Sequence, residues 1–311
     1  MRILPPDADG LMEAAMILRR GGIGIVPTET VYGLACDATS AIGVASIYRA
    51  KGRPADNPLI HHAANIDMVQ QIADCSHPAV ESLAESFWPG PLTLILPARP
   101  SVLPEAIAGG STVAVRIPAH PMMRHLISLT FKPLAAPSAN LSGQLSPTSL
   151  EQIDPKLAEQ VEFAIDGGPC SVGIESTILD LTGEVPMVVR TGHVTPARLR
   201  ALLGGQIEVR RHDEGGTPGS YARHYAPRTP LFLTDTLGDL PGIGFQKPRH
   251  ANQIRLPKKP EAYAEGLYRA LFSADCWGLD RLSIERPPRT PAWMAIWDRL
   301  ERAVTKASDL E

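Results

Sequence analysis

The sequence predicts a mixed α/β fold of the α+β kind, with one large domain around a central sheet and a small α/β domain behind it. Short runs rich in Val, Ile, Leu and Thr recur through the first two thirds of the chain, with helical segments between only some of them. Two of these runs, 177–181 and 187–189, are separated only by Thr182-Gly183-Glu184 and read as a hairpin, which strict strand-helix alternation does not contain. A polar stretch rich in glycine and proline over 212–228 separates the two domains. The expected organisation is 1–210, a linker at 211–228, and 229–311.

The first helix is expected over 11–20, where apolar residues recur at helical spacing, with Asp9 as its cap and Gly21-Gly22 as its end. A strand at 23–26 follows, and helical spacing returns over 41–50 and 122–129. Strands are expected at 92–96, 113–117, 134–137, 163–165, 177–181 and 187–189. In the small domain, 231–233, 263–272, 282–284 and 293–304 read as strand, helix, strand and helix, and the region 237–255 is not expected to add strands.

At 311 residues and 44% hydrophobic composition the chain can bury a substantial core. A net charge of -3 argues against a surface built to wrap nucleic acid. The four cysteines form no CxxC pair, which fits a reducing cytoplasm. No signal-like segment opens the chain, and no apolar run reaches the roughly 20 residues of a membrane helix.

Four segments and one strand residue stand out chemically. Lys51-Gly52-Arg53 lies on a turn just after a helix, where a compact ammonium and a bidentate guanidinium suit phosphate oxygens; the same pair also suits a solvated helix end. Ser138 and Asn140, in a turn after a strand, offer hydrogen bonds to a nucleotide or simply form the turn. Thr28 to Leu34 runs from a strand into a polar turn, and Gly173 to Thr177 leads into another strand. Arg116, between Val115 and Ile117, points away from both, towards either solvent or a polar cleft, and needs a partner if buried. His61 and His62 project to opposite faces of a strand and cannot share a metal. Walker, dinucleotide and nucleophile-elbow motifs are absent.

Taken together, PTETVYGL from Pro27, KGRPADNPL from Lys51, PGPLTLIL from Pro89, VAVRIPAHP from Val113, APSANLSG from Ala136 and GIESTILD from Gly173 resemble the YrdC-like threonylcarbamoyl-AMP synthases, specifically their longer two-domain branch. The resemblance implies a twisted, mostly open mixed sheet with a large positively charged cavity, marked by Lys51, Arg53, Ser138 and Asn140. It implies that threonine is held by Thr30, His62, Arg116, Ala136 and Ser176. ATP would contact Lys51, Arg53, Asn57, Thr112, Ser138, Asn140, Ser146 and Arg190, with Mg2+ accompanying the nucleotide and bicarbonate as third substrate. His224 and Tyr225 of the linker would close over the cavity as a lid. Where His61 stands, the family usually has an apolar residue. The product would pass to a tRNA threonylcarbamoyl transferase complex in the cytoplasm. Two other readings are a non-catalytic RNA-binding groove, and the carbamoyl-transfer domain of hydrogenase maturation, whose zinc-finger cysteines and acylphosphatase region are missing.

Overall fold

The computed structural model of the protein describes residues 1–210 and 225–305. The first half of the chain forms β1 (Arg2–Leu4), α1 (Ala8–Arg19), β2 (Gly24–Val26), β3 (Gly33–Asp37), α2 (Ala41–Lys51), β4 (Ile60–His62), α3 (Ile66–Ile72), α4 (Ala79–Phe87), β5 (Leu92–Pro97), β6 (Thr112–Arg116), α5 (Pro121–Thr130) and β7 (Leu134–Ala135). There follow α6 (Pro155–Ala158), β8 (Phe163–Ile165), β9 (Thr177–Asp180), β10 (Met187–Arg190), α7 (Pro196–Leu203) and β11 (Glu208–Val209). After residue 225 come β12 (Leu231–Thr234), β13 (Gly242–Gly244), β14 (Gln253–Arg255), α8 (Pro260–Asp275), β15 (Leu282–Glu285) and α9 (Met294–Ala303).

β1 to β11 make one mixed, twisted sheet in the order β1-β8-β2-β3-β7-β4-β6-β5-β9-β10-β11. Parallel and antiparallel pairs are interspersed: β4 runs parallel to β6, whereas β5 and β6, like β9 and β10, are antiparallel. The hairpin read from 177–189 is thus present, with one irregularity: the register shifts between Val188 and Arg190, so that Val188 faces Leu179 and Arg190 faces Ile178.

Alternation along β6 shows how the sheet is finished. Val113 and Val115 join Leu94, Leu179, Val188 and residues of α3, α4 and α7 in a buried cluster on one face. Ala114, on the other face, joins only the small cluster of Ile60 and Ile178, and Arg116 lies beyond it in a cleft. Each fully buried aliphatic side chain of the helix-covered face contributes about 1.5–3 kcal/mol. On the neighbouring part of the sheet, α1 and α5 cover one face and α2 the other.

α1 is capped by Asp7, whose side chain accepts the Gly10 N–H, rather than by Asp9, which sits in the first turn. The region 237–255, expected to add no strands, supplies β13 and β14. Each is three residues long, with one central isoleucine and no apolar alternation to announce it, and it is pairing that makes them strands. Gly242 allows this: a Cβ there would lie 1.8 Å from the Ser283 carbonyl oxygen on β15. β12 to β15 form a separate, all-parallel sheet in the order β12-β15-β13-β14, packed with α8 and α9 into a core of its own. That core also takes in Val31 and Ile174 from the larger unit. No described helix is long and apolar enough to cross a membrane.

Candidate active site

The helix-free face of the sheet forms the floor of a cleft of about 600 Å³, open solvent included. Arg116 is its buried anchor, only 3% exposed at the end of β6. The ion pair with Glu29 Oε1 at 2.5 Å orients its guanidinium, with donations to Thr30 Oγ1 at 3.0 Å and the Gly90 carbonyl at 3.1 Å. These partners fix the plane and leave N–H groups on both terminal nitrogens for a planar anion. Burial pushes the Glu29 carboxyl upward, but the charge of Arg116 and a hydrogen bond from the Ala119 backbone outweigh it and hold it below its ordinary value. His62, beside Arg116 in the lining, is pulled down to about 3 by burial and by that charge, so it meets a ligand as a neutral imidazole.

Along β6, Thr112 shares the face of Arg116 and stands four residues away, about 13 Å along the strand. The β4–β6 register, with Ile60 opposite Ala114, brings Thr112 level with Pro58, next to Asn57. At this end Arg53 donates to the Asn57 carbonyl at 3.0 Å and side chain at 2.5 Å, and to the Pro58 carbonyl at 3.0 Å.

The Pro137 to Gly143 turn borders the cleft through Pro137 and Ser138. Ser138 Oγ lies 2.5 Å from Asn140 Oδ1, and the Asn140 amide bonds the carbonyls of Leu141 and Gln144. Lys51, expected to face phosphate, is buried under this turn, and its Nζ donates to the Ser138 and Asn140 carbonyls, each at 2.5 Å. Burial and the nearby Arg53 hold its pKa well below the usual lysine value. Its Nζ therefore shapes the loop that carries Ser138.

On the third wall, Ser176 Oγ lies 2.8 Å from Thr93 Oγ1 and accepts from Arg190 at 3.0 Å; Arg190 also holds the Ser176 carbonyl. Ser146 is buried behind this wall and donates to Glu175 Oε1 at 2.6 Å. Of the residues expected from sequence, Thr30, Arg53, His62, Arg116, Ala136, Ser138, Ser176, Arg190 and Tyr225 line the cleft. Lys51, Asn57, Asn140 and Ser146 stand behind lining residues, and Thr112, at the start of β6, is not among the residues that line the cleft. His224 and the linker residues 211–224 lie outside the described residues.

Glu29 and Glu175 were not singled out from sequence, although a buried strand arginine demands a carboxylate and PTETVYGL offers one. Arg299 on α9 gave no signal: it is 1% exposed, paired with Glu175 at 3.1 Å, and comes from the C-terminal unit.

A mixed sheet with one face closed by helices and the other gathering arginines and hydroxyls defines an α/β protein with a polar cleft on its open face. Residues 16–192 match the Sua5/YciO/YrdC family profile, described as "Telomere recombination", and residues 194–305 match "Threonylcarbamoyl-AMP synthase, C-terminal domain". The chain belongs to this Sua5/YrdC family. It is 36% identical over 320 residues to the threonylcarbamoyl-AMP synthase of Bacillus subtilis (strain 168), covering 94% of this chain and 92% of that protein. The structure of Pyrococcus abyssi Sua5 complexed with L-threonine superposes with a TM-score of 0.89 at 33% identity, over 98% of this chain and 99% of that one. Full-length HypF shares the fold alone, with a TM-score of 0.51 at 18% identity over 58% of this chain and 28% of that one.

Proposed function

We propose that this chain is an L-threonylcarbamoyladenylate synthase, joining L-threonine, bicarbonate and ATP into threonylcarbamoyl-AMP and releasing pyrophosphate. The observation that carries the reading is the buried, pre-oriented Arg116 lining one cleft together with Arg53, Ser138 and Arg190. One end suits an amino-acid carboxylate, the other a nucleotide.

In this reading Arg116 takes the threonine carboxylate in a bidentate grip, with Thr30, His62, Ala136 and Ser176 around the rest of the amino acid. His62, with a pKa of about 3, accepts a hydrogen bond from the amine through its unprotonated ring nitrogen and takes up no second proton at neutral pH. Desolvation beside a guanidinium disfavours the ammonium form, so the amine sheds its proton to solvent. Bicarbonate releases CO2 and hydroxide; the amine nitrogen bonds the CO2 carbon and gives up one N–H proton, which leaves with the hydroxide as water, and a carbamate results. A carbamate oxygen then bonds the α-phosphorus of ATP, the α–β bridging bond breaks, and pyrophosphate leaves. Arg53 and Arg190 neutralise phosphate charge, and no covalent enzyme intermediate is required.

ATP enters as its magnesium complex, the ion being part of the substrate. The described residues contain no group of three His, Cys, Asp or Glu that would hold a metal, and the two glutamates at the cleft are engaged by Arg116 and Arg299. No step is assigned to it. The product, a reactive mixed anhydride, would be consumed by a threonylcarbamoyl transferase complex acting on tRNA; direct tRNA contact gains no support from a net charge of -3.

The test is pyrophosphate release from ATP by purified protein. Release that requires both threonine and bicarbonate is expected. No release with both present overturns the reading, and steeply salt-dependent RNA binding without ATP turnover would put an RNA-binding groove in its place.

A further inference from the structure

α9 of the C-terminal unit sends one charged side chain into the wall of the cleft. Arg299 donates from Nε to Glu175 Oε2 at 3.1 Å and from NH1 to the Thr191 carbonyl, and it contacts Asp298 Oδ2 at 3.0 Å. Tyr268 on α8 donates to the same Glu175 oxygen at 3.0 Å, and Tyr225 stacks on Tyr268 with the Arg299 guanidinium over its ring at 5.4 Å.

Each atom held this way is one step from a side chain at the site. Glu175 precedes Ser176, Thr191 follows Arg190, and the other Glu175 oxygen receives Ser146. The two backbones also touch closely: a Cβ on Gly192 would lie 2.5 Å from the Thr177 nitrogen and 2.7 Å from the Glu175 carbonyl oxygen. Burial alone would push the Glu175 carboxyl up, but Arg299 and then Arg190 hold it ionised. A buried ion pair of this kind is seldom more stabilising than apolar side chains of the same volume, whereas it does fix geometry.

We propose that Arg299 is a positioning residue: the C-terminal unit uses it to hold Glu175 and Thr191, and so to set Ser146, Ser176 and Arg190 for the nucleotide and amino acid. The inference rests on the synthase reading for its substrates. It assigns to the C-terminal unit the task of completing one wall of the cleft.

The experiment compares Arg299→Met, Arg299→Lys, Glu175→Gln and the double variant Arg299→Met/Glu175→Gln with Ile284→Ala, a core change in the C-terminal unit away from the cleft. Pyrophosphate-release kinetics, ATP binding by calorimetry and melting temperature are measured at a temperature where each protein is folded. Arg299→Met is expected to lower kcat/KM for ATP 10–100-fold, mainly through KM, and to weaken ATP binding in step. Arg299→Lys recovers part of this loss, because it restores charge without the fork. The double variant is expected to melt above Arg299→Met, since no unpaired carboxylate remains, yet to keep the raised KM. Ile284→Ala lowers the melting temperature while KM stays within twofold. A wild-type KM and wild-type ATP affinity in Arg299→Met overturn the proposal, as does a double variant whose KM recovers with its melting temperature. If Arg299→Met does not fold, Arg299→Lys and Glu175→Gln carry the same comparison. Absence of pyrophosphate release by the wild-type protein would sink the synthase reading alone, because the calorimetry still separates wild-type from variant ATP binding.

Discussion

Arg116 shows what one residue contributes when its surroundings are fixed. With Glu29, Thr30 and Gly90 defining its plane, a change to lysine keeps the charge and loses the fork. Arg116→Lys is expected to raise the KM for threonine about 10–100-fold and leave the KM for ATP within about twofold, read from pyrophosphate release, on a loss of roughly 1.5–3 kcal/mol for a charged hydrogen bond. A second residue-scale effect concerns His61 and His62, which burial pulls from 6.5 to about 4 and about 3. The unfolded chain takes up both protons as pH drops below 6.5, and the folded chain does not until the lower values. Stability is therefore full above pH 6.5 and falls as pH descends, with each histidine removing about 2 kcal/mol by pH 5. Urea unfolding at pH 7 and pH 5 checks this, and His61→Leu is expected to cut the difference by about 2 kcal/mol. His120 and His193, also lowered by burial, contribute equally to both proteins and drop out of that comparison. Much of the site was legible from sequence because its arginines and hydroxyls sit in short contiguous segments. Lys51 was legible as a cation but not as a loop support, since its destination, two carbonyls 87 and 89 residues away, is set by tertiary packing.

At the scale of elements, β6 carries its own explanation: TVAVR alternates two valines for the helix-covered face with Ala114 and Arg116 for the cleft. Such strands were readable. β1, β13 and β14 were not, since each is short and lacks a run of apolar residues, and their identity comes from partners. α3, α4 and α7 also escaped, although α7 opens with Thr195 capping Arg198 and a proline in its first turn. The tight approach between β9 and the turn after β10 gives an element-scale prediction. Gly192→Ala forces a methyl group against backbone atoms of Glu175 and Thr177, and is expected to destabilise the protein by about 1–3 kcal/mol in thermal or urea unfolding. Pyrophosphate release should fall with it even where the variant is fully folded, because Ser176 and Arg190 flank the displaced segment.

Over the whole molecule, the two sheets are joined by shared packing and by a buried charge network. Val31 and Ile174 belong to the C-terminal core, and Arg299 reaches back 124 residues to Glu175. That joint was invisible from sequence: helix α9 reads as an amphipathic segment, and nothing in its spacing says which of its charged residues is buried. The joint predicts cooperative unfolding. Variants keeping only Trp88 in the larger unit, or only Trp297 in the smaller, are expected to report the same urea midpoint by fluorescence. Midpoints separated by more than about 0.5 M, against a slope of roughly 2 kcal/mol per molar urea or more, would show that the units unfold independently.

The irregular step in β10 bears on how faithfully the chain folds. By simple alternation Val188 and Arg190 would share a face, yet one packs beneath α4 and α7 and the other lines the cleft, because Val189 is the extra residue between them. A ladder that closed up this step would drive a guanidinium into the apolar layer. Misregistered pairing near the end of the sheet is thus penalised by the same residue that the cleft needs, and the strand carries its own safeguard against slippage.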